Sequence, residues 1–88
     1  MWPSQHHFSI TGHEAADALF VSALQRSQAP TTDQVQQAIN AAVGTFGYSG
    51  CAGRVAQEFG DHPETAAARM RWARGTLAGL SLRVRLAA

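Results

Sequence analysis

Arg54-Val-Ala-Gln-Glu-Phe-Gly-Asp-His-Pro-Glu-Thr-Ala-Ala-Ala-Arg-Met-Arg-Trp-Ala-Arg-Gly-Thr-Leu77 carries the signals that set the fold. Val55, Ala56 and Phe59 recur at helical spacing and stop at Gly60, so a short helix is expected to end there. Asp61 and His62 then make a tight turn. Pro63 suits the first position of the next helix, where its missing N–H is no loss, and Asp61 or His62 supplies the cap. Ala66, Met70, Ala73, Leu77 and Leu80 form one apolar stripe on that helix, leaving Glu64, Ala67, Ala68, Arg71 and Arg74 on or beside its outward face.

Upstream, Val35, Ala38, Ile39, Ala42, Val43 and Phe46 fall on one helical face opposite Gln34, Gln37 and Asn40. This predicts a helix capped by Thr31 or Thr32 and closed by Gly47 in a left-handed C-terminal cap. The next helix, from about Ser49 to Gly60, is expected to bury Cys51 or Ala52, with Val55, Ala56 and Phe59. Gly50 and Gly53 lower its intrinsic propensity by about 1 kcal/mol each, so packing must hold it.

Before the Pro30 loop, Thr11-Gly-His-Glu14 has capping-box spacing, which predicts a first helix over 12–27 with Ala16, Leu19, Phe20, Ala23 and Leu24 buried. Residues 1–11 read as an extended arm, with a brief alternation at Phe8 and Ile10. At the other end Leu80, Leu82, Val84 and Leu86 alternate with Ser81, Arg83 and Arg85, a period-two pattern that predicts a short strand after Gly79 ends or frays the last helix. Residues 80–86 would pair with the segment near 7–11 or with the same tail of a second subunit. A longer last helix with a frayed end is the alternative. The expected fold is a single, mostly all-α domain of four helices. Residues 12–32 form an N-terminal helix and loop, residues 33–80 a three-helix core and residues 81–88 a tail.

Composition narrows the function classes. With 88 residues, 45% hydrophobic and 15% charged, the chain supports one modest core and is not kept unfolded by charge. It lacks an apolar run long enough for a membrane span, and a basic start with an apolar block does not open it, so a cytoplasmic protein without a membrane partner is expected. The single Cys51 gives neither an internal disulfide nor a zinc spacing. His6, His7, His13 and His62 never join carboxylates or the thiol at a recognisable catalytic or ligating spacing, so neither enzyme, cofactor nor metal is expected. Net charge is +1, but residues 63–88 hold five arginines against Glu64, whereas residues 1–62 hold Arg26 and Arg54 against five carboxylates. The positive end lies on and beyond the last helix. All seven basic residues are Arg, which with the alanine content suits a high-GC coding sequence; the chain in this respect resembles short actinobacterial proteins, a likeness that implies no activity.

The unit Val55 to Arg74 resembles the helix-turn-helix of sigma factor region 4 and of LuxR-type regulators. The matching positions are Val55, Ala56, Phe59, Gly60, Thr65, Arg69, Met70 and the basic Arg74. The resemblance implies a first helix lying across the DNA backbone and a second entering the major groove. Thr65 and Arg69 would then sit near phosphates or base edges, while Val55, Ala56, Phe59 and Met70 pack the two helices together. Helical geometry adds Arg71 and Arg74 to the DNA side. Asp61 departs from the pattern, standing where those families usually carry an apolar residue, and Glu64 with its alanines replaces polar base readers.

Two functions emerge as expectations. The first is a small DNA-binding transcriptional regulator using Thr65, Arg69, Arg71 and Arg74. It would act as a homodimer through the first helix or the tail, with Trp72, Leu82, Val84 and Leu86 as interface. The second is a non-enzymatic adaptor whose arginines and Trp72 meet an unidentified protein partner.

Overall fold

The structure, a computed structural model, describes residues 12–25 and 29–87, and the side chains of this set as far as residue 80. The described chain is all-helical, with three helices: α1 (Gly12–Val21), α2 (Thr32–Asp61) and α3 (Pro63–Ala87). The capping expectation at Thr11 and the extended arm fall outside the described residues.

The shortest helix is the centre. Ala16, Asp17, Ala18, Leu19 and Phe20 are five consecutive buried residues, so α1 is covered all round its circumference rather than along one stripe. Both other helices pack against it. Val35, Ile39 and Ala42 close over it from the first half of α2, and Ala66, Met70, Ala73 and Leu80 from α3. The apolar stripes expected on these two helices are therefore core.

α1 stops at Val21, six residues short of the expected end. Ser22 explains the stop: its hydroxyl donates to the Leu19 carbonyl (2.7 Å) and accepts from the Leu24 N–H (3.3 Å), satisfying groups that another helical turn would have used. Ala23 is consequently exposed, and Leu24 is half-buried in the loop.

α2 opens with a complete capping box at Thr31. The Thr31 hydroxyl accepts from the Gln34 N–H (3.1 Å), and Gln34 Oε1 accepts from the Thr31 N–H (2.9 Å). The two central helices expected on either side of Gly47 are one element with a kink. Gly47 has φ 72° and ψ 169°, a combination open essentially to glycine alone. Its ψ differs from that of a left-handed cap, so the chain turns at one residue and resumes helix at once. The kink brings Phe46 against Gly50, where a Cβ would lie 3.0 Å from the Phe46 Cβ. It also lets the buried Cys51 thiol donate to the Ala42 carbonyl across the bend (3.7 Å). Burial, followed by the Asp17 carboxylate and against the pull of Arg54, raises the Cys51 pKa, which keeps the thiol protonated.

The turn at Gly60 to His62 is shorter than expected. Gly60 and Asp61 are helical, and only His62 lies between α2 and α3, with φ −140° and ψ 68°. The His62 N–H reaches the Glu58 carbonyl (2.7 Å), while its own carbonyl accepts from the Ala66 N–H (2.9 Å). The strand expected at 80–86 is helix, and Gly79 does not end α3. Among the described residues no strand is present to pair with such a tail, whereas a helix satisfies its own backbone groups.

Candidate functional site

The second half of α2 differs from everything around it. From Tyr48 to Asp61 only Cys51 is buried, with Val55 half-buried; Ala52, Ala56 and Phe59, expected in the core, are exposed. Helical spacing puts Ala52, Val55, Ala56 and Phe59 on one face of α2. That face and Ala67, Met70, Arg71 and Arg74 of α3 line an open groove of about 460 Å³. His13 and Asp17 of α1 border it. Phe59, 38% exposed, presents its ring there and also stacks on Phe20 (centroids 6.3 Å apart, planes at 20°), linking the groove to the core.

The charged border is asymmetric. Asp17 is buried, with the exposed His13 imidazole 4.0 Å from its carboxylate one turn away. Arg71 and Arg74 are exposed, on the same side of α3. Thr65 and Arg69 lie on a different side, since Arg69 and Arg71 are about 200° apart around the helix axis at 3.6 residues per turn. The four positions expected to touch DNA therefore do not form one surface.

Arg69 has a defined internal role. Its Nε donates to the Phe20 carbonyl (2.8 Å), and one terminal nitrogen approaches the carbonyls of Ser22 (3.0 Å), Leu24 (3.0 Å) and Leu19 (3.4 Å). These carbonyls end α1 and leave it, so a cation there satisfies orphan acceptors and complements the negative end of the helix dipole. The guanidinium also lies over the Trp72 ring, 4.6 Å from its centroid. Trp72 is half-buried and packs on the core. Thr65 is exposed and borders a separate pocket with Phe20, Arg54, Glu58 and Arg69. Leu82, Val84 and Leu86, expected as interface residues, lie in α3 beyond the described side chains.

No family model, no curated protein and no solved structure matches this chain. Function must therefore be read from the site itself.

A second concavity of about 680 Å³ lies between the α1 exit loop and the first half of α2, lined by groups that include Val21, Leu24, Gln37, Ala38 and Phe46. Among the described residues no charged side chain lines it. Among the described residues no three His, Cys, Asp or Glu side chains are placed to hold a metal ion, and no helix is long and apolar enough to cross a membrane. Sequence reasoning missed the groove because helical spacing alone cannot tell a face turned to the core from one left open. It missed the bond from Arg69 to α1 because the two are close only in the fold.

Proposed function

We propose that this protein is a non-enzymatic protein-interaction module whose working surface is the groove between the second half of α2 and the first half of α3. The observation that carries this reading is the exposed Phe59 on an apolar floor with Arg71 and Arg74 beside it, on a helix segment that, among the described residues, buries almost nothing but Cys51. Exposed aromatic and arginine side chains around an apolar depression are what helix-in-groove recognition uses.

The DNA reading loses support from the same geometry. With Arg69 bonded to the carbonyls of α1, the described phosphate contacts reduce to Arg71 and Arg74. Two neutralised phosphates would give a weak electrostatic term, falling only about tenfold between roughly 50 and 200 mM salt. The resemblance to regulators of the sigma factor region 4 and LuxR type accordingly contributes a helix pair to this reading and no DNA contact.

The test is a selection of displayed helical peptides on the folded protein, followed by an NMR footprint. Peptides that shift Ala52, Val55, Phe59, Ala67 and Arg71, and that are lost with Phe59→Glu, would support the module. Peptides footprinting elsewhere would contradict it. So would tight, salt-steep binding of a DNA duplex that survives Phe59→Glu and is abolished by Arg71→Ala with Arg74→Ala.

A further inference from the structure

We propose that the occupant of the groove is a second copy of this chain, joined by antiparallel pairing of the two α3 helices. The inference rests on the interaction reading above and names its partner. It comes from the arrangement of charge about one point on α3. Glu64 and Arg71 are equidistant in sequence from the Ala67–Ala68 peptide bond, and so are Asp61 and Arg74. The acidic pair lies on one side of that point and the basic pair on the other. Glu64, Ala67, Ala68, Arg71 and Arg74 share one helical stripe, at spacings of three, four and seven residues. Asp61 closes α2, and His62 alone separates it from the start of α3.

All four charged residues are exposed, and among the described residues none forms an ion pair within its own chain. A two-fold axis through the Ala67–Ala68 position sets Glu64 of one copy level with Arg71 of the other, a pair that occurs twice, and carries Arg74 toward the α2–α3 turn of the other copy, where Asp61 ends α2. A parallel arrangement would oppose like charges. The pattern is self-complementary in the way an isologous interface requires.

Sterics agree with charge. Ala67 and Ala68 stand at the crossing point, where small side chains let two helix axes approach toward the short end of the usual 8–10 Å range. Ala67, Arg71 and Arg74 of this stripe also line the groove, so the second α3 lies against its α3 wall, beside Phe59. Two hairpins, each made of the second half of α2 with α3, complete an antiparallel four-helix arrangement. The single-chain fold thus leaves its open face to be closed by its own duplicate.

Sedimentation velocity on the full chain tests this with charge reversals. Glu64→Arg alone places arginines opposite each other across the axis, and Arg71→Glu alone opposes glutamates; each is expected to weaken the dimer by about tenfold or more. An equimolar mixture of the two variants should recover association as a heterodimer, and the double variant should recover it with itself. Glu64 also sits in the first turn of α3, where a carboxylate favours the helix. If circular dichroism shows that Glu64→Arg costs helix content, Glu64→Gln repeats the design by neutralisation, since combined with Arg71→Glu it removes the repulsion that Arg71→Glu alone introduces. A chain that stays monomeric at millimolar concentration, or a dimer indifferent to every reversal and to mixing, would overturn the proposal. Peptides footprinting the groove of such a monomer would leave the interaction reading standing while the second copy falls. A monomer with no peptide footprint would remove both.

Discussion

α1 and the second half of α2 are helices of similar length with opposite fates. α1 has five successive buried residues and covers them with both other helices, whereas the stretch from Tyr48 to Asp61 buries only Cys51. Each carries alanine, valine and phenylalanine, although α1 is the more apolar, with six apolar residues in ten against six in fourteen. Position separates them further: α1 lies between α2 and α3, whereas among the described residues the hairpin half of α2 has α3 on one side and an exposed face on the other. Burial is a property of the arrangement, and an apolar residue left outside it becomes available to a partner.

Breaking the α1 side should have the largest effect. Leu19 is fully buried, so Leu19→Ala should cost about 3 kcal/mol or more, enough to unfold much of a small domain, as read by urea denaturation. Arg69→Ala should come next at about 2 kcal/mol, because it strands carbonyls at the end of α1. Arg69→Lys should recover only part of this, since an ammonium cannot bond several of them with a planar fork. Gly47→Ala should cost about 1–2 kcal/mol through backbone strain alone, as no atom lies within 4 Å of the added Cβ. On the open side, Phe59→Ser should change monomer stability by less than about 1 kcal/mol, the stacking on Phe20 being the main loss. Its main effect should be on association, measured by sedimentation. A Phe59→Ser cost matching that of Leu19→Ala would erase the contrast between the two regions.

The helices are legible in the sequence where a periodic stripe meets a capping signal. Thr31 with Gln34 opens α2, Pro63 opens α3, and the stripes through Val35 and Ile39 and through Ala66, Met70 and Ala73 all reach the core. Local signals fail where tertiary contacts decide the outcome. Gly47 is readable as a positive-φ position but not as a kink that the helix survives, because the course of the chain beyond a glycine depends on packing across it. The alternation from Leu80 to Leu86 fits a strand, yet a strand needs a neighbour, and the helix needs none. α1 resembles an appendage before a loop because nothing in ten residues shows that two later helices will enclose them. Arg69 has the spacing of a DNA contact, and the carbonyls it bonds lie some 45–50 residues earlier, out of reach of any local pattern. The groove shares this cause, since Phe59 has the spacing of a core residue and only the fold leaves it exposed.

Native-state hydrogen exchange, resolved by residue on the dilute chain, tests the contrast most directly. The account predicts that amides of α1 from Ala16 to Phe20 exchange only through global unfolding, while those from Ala52 to Gly60 open at much lower free energy. Exchange from α1 as fast as from Ala52 to Gly60 would contradict it, making α1 a loosely attached helix and the hairpin the true core.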